Sequence, residues 1–219
     1  MERLPNRLWA GQQLADQLQG LIQHEPGLVL ALPRGGVPVA YPIARQLGWP
    51  LDVCLVRKLG APGQPELAMG AITLGGLRVI NQDIVDYLKI TTTEIARVQQ
   101  EEEQEIARRN ACYRRGLPLP VLKGKTVILV DDGVATGATL QGAIAITEQQ
   151  GPRQLIVAVP VIAPDSYQQL CQRVDRVFCL LQPAPLQSIG LWYEDFSQVP
   201  DEVVCHYLNL ALRLQNPPA

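Results

Sequence analysis

An α/β domain with a mainly parallel sheet flanked by helices is the fold that this sequence predicts, on two observations. Short apolar runs recur along the chain, each followed by a Gly-rich or acidic turn and then by an amphipathic helical stretch. Hydrophobic residues make up 47% of the 219 and charged residues 18%, which supplies a full core and argues against extensive disorder. The length fits one domain, so a single unit over 1–219 is expected.

The elements follow in order. Residues 28–32 (LVLAL) read as a strand, followed by PRGG and a helix over 38–47 that Gly48 closes, with Pro42 delaying or bending it. Residues 51–56 (LDVCLV) read as the second strand and 126–130 (TVILV) as the third. The third runs through an acidic turn into a helix over 138–150, where Leu140, Ala143, Ile144 and Thr147 share a face and Gly151-Pro152 stops the helix. Strands at 154–161 and 174–181 follow, with Tyr167, Leu170, Cys171 and Val174 at helical spacing between them. A last helix over 201–214 buries Val204, Tyr207, Leu208 and Ala211.

Two segments break the rhythm. Residues 57–80, rich in Gly and Pro, read as a mobile loop or hairpin, and 81–115 as a polar helical insertion. In the insertion Thr91 and Glu94 have capping-box spacing and Glu105 can pair with Arg109, so QQEEEQE reads as a solvated helix face. The closing NPPA reads as a tail.

Composition removes several function classes. A net charge of -2 and a pI of about 5.7 give no global electrostatic case for nucleic acid. No apolar run approaches the roughly 20 residues that span a bilayer, and the N-terminus lacks a signal-peptide core, so a cytoplasmic protein is expected. The five cysteines show no C-x-x-C pair and read as buried, reduced thiols. His24 and His206 lie in no motif, and no protein-held metal is expected.

The chemistry concentrates at 127–140, VILVDDGVATGATL. Ligands of open α/β sheets bind outside the carboxyl ends of strands, where Asp131 and Asp132 fall, and adjacent carboxylates accept hydrogen bonds from neighbouring hydroxyls. The following turn aims backbone N–H groups, with the hydroxyls of Thr136 and Thr139, at a helix N-terminus, which suits a phosphate dianion. Gly137 reads as a site of close backbone approach. A diol acceptor followed by a phosphate cradle describes a ribose 5-phosphate. The chain carries neither the full G-x-x-x-x-G-K-[ST] motif of a P-loop nor a G-x-G-x-x-G after its first strand.

The segment resembles the phosphoribosyl-pyrophosphate loop of type I phosphoribosyltransferases. The resemblance implies that Asp131 and Asp132 bind the ribose hydroxyls, and that Gly133, Val134, Ala135, Thr136, Gly137, Ala138 and Thr139 complete the loop, with 135–139 around the 5-phosphate. It places the pyrophosphate at LPRGGVPVA, where Gly35 and Gly36 would permit unusual backbone geometry and Arg34 would add a charged donor. Arg57-Lys58 is similar to the pair that leads into the closing loop of adenine-type members, so both are candidates for stabilising the leaving pyrophosphate. Glu66 is a candidate for orienting or deprotonating the nucleophile. Enzymes acting on 6-oxopurines usually carry an acidic residue where this chain has Ala135, which speaks against hypoxanthine or guanine.

In purine-specific members the region matching 182–200 forms a hood over the acceptor. Trp192, Tyr193 and Phe196 could stack on a heterocycle, with Glu194 or Asp195 reading its polar edges, or the aromatics could plug the C-terminal helix. LPRGGVPVA, VRKLGAPG, VDDGVATGAT and WYEDF together resemble a group of bacterial phosphoribosyltransferases with no assigned acceptor. The resemblance implies an enzyme that transfers phosphoribosyl from 5-phosphoribosyl-1-pyrophosphate to a small nitrogenous acceptor, with substrate-bridged magnesium and the 57–76 loop closing over the site. The alternative is a non-catalytic sensor of phosphoribosyl pyrophosphate, for which the basic stretch 108–125 could contact nucleic acid, although a solvated helix end is the simpler reading. Homo-oligomers paired through 81–115 are compatible with either.

Overall fold

The structure, a computed structural model, describes residues 3–19 and 26–215. Helix α1 (Arg7–Gln19) precedes β1 (Gly27–Ala31), α2 (Gly36–Leu47) and β2 (Leu51–Val53). An antiparallel arm follows, made of β3 (Val56–Ala61), β4 (Gln64–Thr73) and β5 (Arg78–Ile80), then helices α3 (Gln82–Leu88) and α4 (Thr92–Arg114). The chain returns as β6 (Thr126–Val130), α5 (Ala138–Glu148), β7 (Gln154–Val161), α6 (Pro164–Cys171) and β8 (Arg176–Leu181). A 3-10 turn (Ile189–Trp192) and α7 (Asp201–Gln215) close it.

The main sheet has five strands in the order β2-β1-β6-β7-β8, all parallel. Every residue of β1 and β6 is buried, which explains their unbroken apolar sequences: helices cover both faces. Strand alternation sorts the side chains. Val29, Ala31, Ile128, Val130 and Ile156 pack with Leu14, Val39, Ile43 and Val204 of α1, α2 and α7. Leu28, Leu30, Val127, Leu129 and Val157 pack with Leu140, Ile144 and Leu170 of α5 and α6. Each of these Val, Leu and Ile side chains contributes about 1.5–3 kcal/mol through burial.

The expected strand over 51–56 is two strands. The Cys54 N–H donates to the Ala31 carbonyl at 2.8 Å as the last link to the parallel sheet, and Leu55 already accepts from the Thr73 hydroxyl at 2.8 Å. The chain thus turns a corner at Cys54-Leu55, and Arg57 and Lys58 lie inside β3 rather than at a strand end. The segment expected as a loop or hairpin is the three-stranded sheet β3-β4-β5. It rests on α5 where a Cβ on Gly142 would come within 2.5 Å of Ala71 Cβ.

Other boundaries shift by small amounts. Helix α2 begins at Gly36 and runs through Pro42 to Gly48, which is left-handed (φ 67) and donates to Ala44 and Arg45. The insertion is two helices, with Asn81 capping α3 and the Thr91–Glu94 box formed at the start of α4. Arg109 and Glu105 pair at 2.6 Å. Tyr207 is half-buried rather than buried. Of the cysteines only Cys54 is buried, and Cys171 is exposed, which corrects the expectation of uniformly buried thiols. His206 is exposed, while His24 and the closing 216–219 lie outside the described residues.

Candidate active site

The carboxyl ends of β1 and β6, adjacent and parallel, bring the two glycine-containing turns together. The contact is direct: a Cβ on Gly35 would lie 1.9 Å from Asp132 Oδ2, and one on Gly36 would lie 2.5 Å from the Val130 carbonyl oxygen. Gly35 has φ -63 and ψ -30, an ordinary helical conformation. The expectation that Gly35 and Gly36 serve unusual backbone geometry is therefore corrected, because what they supply is space. At Gly137 the reasons are reversed. It has φ 74, left-handed, and caps α5, so conformation rather than close approach selects glycine there. The peptide between Pro33 and Arg34 is cis.

The turn between β6 and α5 is held from below. Val134 donates to the Val161 carbonyl at 2.8 Å and accepts from the Ala163 N–H at 2.9 Å, and the Ala135 carbonyl accepts from the Ser166 hydroxyl at 2.6 Å. Ala135, Thr136 and Thr139 are left exposed at the start of α5. A helix leaves its first N–H groups without intrahelical partners and carries a partial positive charge there, so this end suits an anion.

Asp131 and Asp132 differ in surroundings. The Asp132 N–H donates to Asp131 Oδ1 at 2.9 Å. Burial, reinforced by the Asp132 carboxylate, holds the Asp131 carboxyl well above its ordinary range. Asp132 is clamped from α1: Arg7 Nε and Nη2 both reach its Oδ2 at 2.8 Å. Sequence reasoning missed Arg7, which sits in no motif and meets its partner 125 residues along the chain.

The 189–199 segment closes this corner. The chain pairs in parallel with Leu4 at Tyr193: Leu4 N–H donates to Trp192 O and Glu194 N–H to Leu4 O, each at 2.9 Å. Tyr193, 2% exposed, donates its hydroxyl to the Asp132 carbonyl at 2.7 Å and stacks on Phe196 with ring centroids 4.9 Å apart. The Arg7 guanidinium lies 3.9 Å from the Phe196 centroid. Tyr193 packs with Leu4, Ala10 and Val161 instead of plugging the C-terminal helix, and its stacking on an acceptor is corrected because the ring is buried. Trp192 is half-buried and lines a cavity of about 510 Å³ with Arg3, Pro183, Gln187 and Leu191. The Asp195 carboxylate accepts from the Ser197 N–H at 3.0 Å, which pulls its pKa down.

Arg57, Lys58, Glu66 and Thr139 meet at a separate cavity of about 550 Å³, between the β3–β4 hairpin and α4. Arg57 Nε donates to Glu102 Oε2 at 2.5 Å and Lys58 Nζ to Glu66 Oε2 at 3.2 Å, across the hairpin. The structure thus brings the expected cations, paired with carboxylates, to the cavity that Thr139 of the β6–α5 turn also lines. Arg34 points instead to the start of α7, 3.8 Å from Asp201, whose carboxylate also receives Tyr113 at 2.5 Å and Arg108 at 2.9 Å. Within the basic stretch 108–125, Arg114 is buried against Asp52 at 2.7 Å, and Arg108 and Arg109 share Glu105, while Arg115 and Lys123 are exposed. Among the described residues no helix is long and apolar enough to cross a membrane.

Residues 1–191 match the family of the phosphoribosyl transferase domain. The chain belongs to that family. The Mycobacterium tuberculosis protein named "Putative phosphoribosyl transferase Rv0571c" is 40% identical over 213 residues, which cover 97% of this chain and 48% of that protein. The chain therefore spans about half the length of the curated relatives it matches. The crystal structure of TT1426 from Thermus thermophilus superimposes with a TM-score of 0.85 at 42% identity, covering 94% of this chain and 97% of that one. The family match agrees with the family resemblance carried by residues 127–140.

Proposed function

We propose that this domain binds 5-phosphoribosyl-1-pyrophosphate and transfers its phosphoribosyl group to a nitrogenous acceptor, releasing pyrophosphate. The observation that supports the reading is the contact of Asp132 with Gly35, which joins the acidic turn leading to α5 to the Gly35-Gly36 turn. Asp131 and Asp132 accept the ribose hydroxyls, while 135–139 donate N–H groups to the 5-phosphate. Gly35 and Gly36 let the pyrophosphate approach the backbone, and Arg34 moves from its long 3.8 Å contact with Asp201 onto the diphosphate.

Chemistry consists of one displacement. The acceptor nitrogen forms a bond to the anomeric carbon as the carbon–oxygen bond to pyrophosphate breaks, and the electron pair leaves with that oxygen. Arg57 and Lys58 exchange Glu102 and Glu66 for the leaving group, which stabilises its developing charge. Glu66, freed and exposed, takes the acceptor's proton. Asp131 and Asp132, as hard oxygen donors, would hold the waters of a magnesium ion arriving with the donor, which would supply neutralisation of diphosphate charge. Trp192 offers a surface to a flat acceptor, and Ala135 leaves a 6-oxopurine without a carboxylate partner. We place the enzyme in the cytoplasm, with α3 and α4 as its self-association surface.

The test incubates labelled phosphoribosyl pyrophosphate and magnesium with a panel of bases and amines, comparing wild type with Asp132→Asn. Acceptor-dependent pyrophosphate release by wild type, falling by roughly 100-fold or more in the variant, supports transfer. Tight donor binding without release for any acceptor defeats the catalytic part.

A further inference from the structure

The Arg7–Asp132 pair joins the first turn of α1 to the acidic turn after β6, and nothing in the phosphate-binding motif calls for it. Arg7 is 9% exposed, and its guanidinium is spent on three partners at once. Nε and Nη2 take Asp132 Oδ2 at 2.8 Å, Nη1 donates to the Ser197 carbonyl at 2.9 Å, and the flat face covers Phe196 at 3.9 Å. A planar fork held on its edges and its face cannot rotate, so the carboxylate that it grips cannot rotate either. The Asp132 backbone is held independently by the Tyr193 hydroxyl on its carbonyl and by Asp131 Oδ1 on its N–H.

We propose that Arg7 is a positioning residue of the donor site, fixing the Asp132 carboxylate in the orientation that receives the ribose hydroxyls. The inference rests on the donor-binding reading above. Both guanidinium bonds end on Oδ2, so Oδ1 is not spent on the ion pair. The same cation offsets the repulsion of two adjacent, poorly hydrated carboxylates; Arg7 and Asp132 are 10% and 17% exposed at the side chain. Without Arg7 the ribose would have to order Asp132 on binding, and that ordering would subtract from affinity. The N-terminal arm thereby becomes part of the donor site, clamped over it by Leu4 pairing beside Tyr193.

A purely structural role, tying α1 to the 189–199 segment, is the competing explanation. A double-mutant cycle on the dissociation constant for phosphoribosyl pyrophosphate with magnesium, by calorimetry on the whole chain, separates the two. Arg7→Gln should weaken binding on the order of 10–100-fold at unchanged stoichiometry, since a misplaced group of about 1 Å costs that much. Arg7→Lys, which keeps the charge but not the fork, should recover part of the loss and provides the readout if Arg7→Gln fails to fold. In an Asp132→Asn background, Arg7→Gln should weaken binding by no more than about two-fold further, because the residue through which it acts is already altered. Wild-type affinity in Arg7→Gln, with only the melting temperature lowered, overturns the proposal, as does full multiplication of the two effects. A wild type that binds no phosphoribosyl pyrophosphate fails the donor reading and this inference together, whereas an affected Asp132→Asn beside an unaffected Arg7→Gln fails this inference alone.

Discussion

Gly35→Ala isolates the contact on which the site is built. Gly35 already has a conformation that alanine adopts freely, so the substitution carries no backbone penalty. Its cost is steric. The new methyl would stand 1.9 Å from Asp132 Oδ2 and 2.4 Å from Cγ, whereas Cβ contacts below 3.0 Å essentially never occur, so the partners must part by about 1.1 Å. Asp132 cannot retreat without loosening the 2.8 Å bonds from Arg7, and the β1 turn cannot lift without losing the Leu32 N–H bond to Val130 O at 2.8 Å. Overpacking of this kind costs about 1–3 kcal/mol, and a melting temperature moves roughly 2–4 °C per kcal/mol in a chain of this size. Displacement of the acidic turn by about 1 Å should weaken donor binding on the order of 100-fold, or about 2.7 kcal/mol. The assay is calorimetric titration with phosphoribosyl pyrophosphate and magnesium, alongside thermal unfolding. Gly76→Ala is the control: a methyl there meets open space, and its left-handed φ of 78 costs about 1 kcal/mol of stability with no effect on binding. Gly35→Ala with a dissociation constant within about two-fold of wild type would refute the reasoning.

Three further outcomes are expected. Asp131→Asn should raise the melting temperature at pH 7 while abolishing donor binding, because burial penalises the Asp131 charge and each pKa unit is about 1.4 kcal/mol; a less stable variant contradicts this, measured by thermal unfolding. Arg114→Met should cost about 3 kcal/mol at pH 7 by leaving Asp52 buried without its cation. Asp52 is already raised above 3.8 by burial, so the folded state binds its proton more readily, and stability is lost as pH rises from that value; the variant should recover toward wild type on acidification, read from urea unfolding between pH 4 and 7. Alkylation at pH 8 followed by peptide mass spectrometry should label exposed Cys171 first and leave Cys54, whose thiol burial pushes up to about 12, unmodified until unfolding.

The parts of the site legible in the sequence are those made by one continuous stretch. Residues 126–139 hold a strand, two carboxylates and a Gly- and Thr-bearing turn in one continuous order, and no distant partner is needed to read them. The capping box at Thr91–Glu94 and the Glu105–Arg109 pair were legible for the same reason, since both are set by helix geometry over one turn. The corner at Cys54-Leu55 was not, because LDVCLV is equally good as one strand or two until Thr73 takes the Leu55 carbonyl. Helix α1 and Arg7 escaped notice because their significance is a contact across 125 residues.

The strands and helices of the parallel sheet and the acidic, Gly- and Thr-bearing turn after β6 follow from the sequence by itself, because hydrophobic periodicity and a turn's residue types are local. Tertiary structure alone decided why Gly35 and Gly137 are glycines, one for the space against Asp132 and one for a left-handed backbone. It also decided that Tyr193 and Phe196 stack under Arg7, and that Arg57 and Lys58 rest on Glu102 and Glu66. Those assignments depend on which strand ends lie side by side, a distance that no stretch of sequence contains.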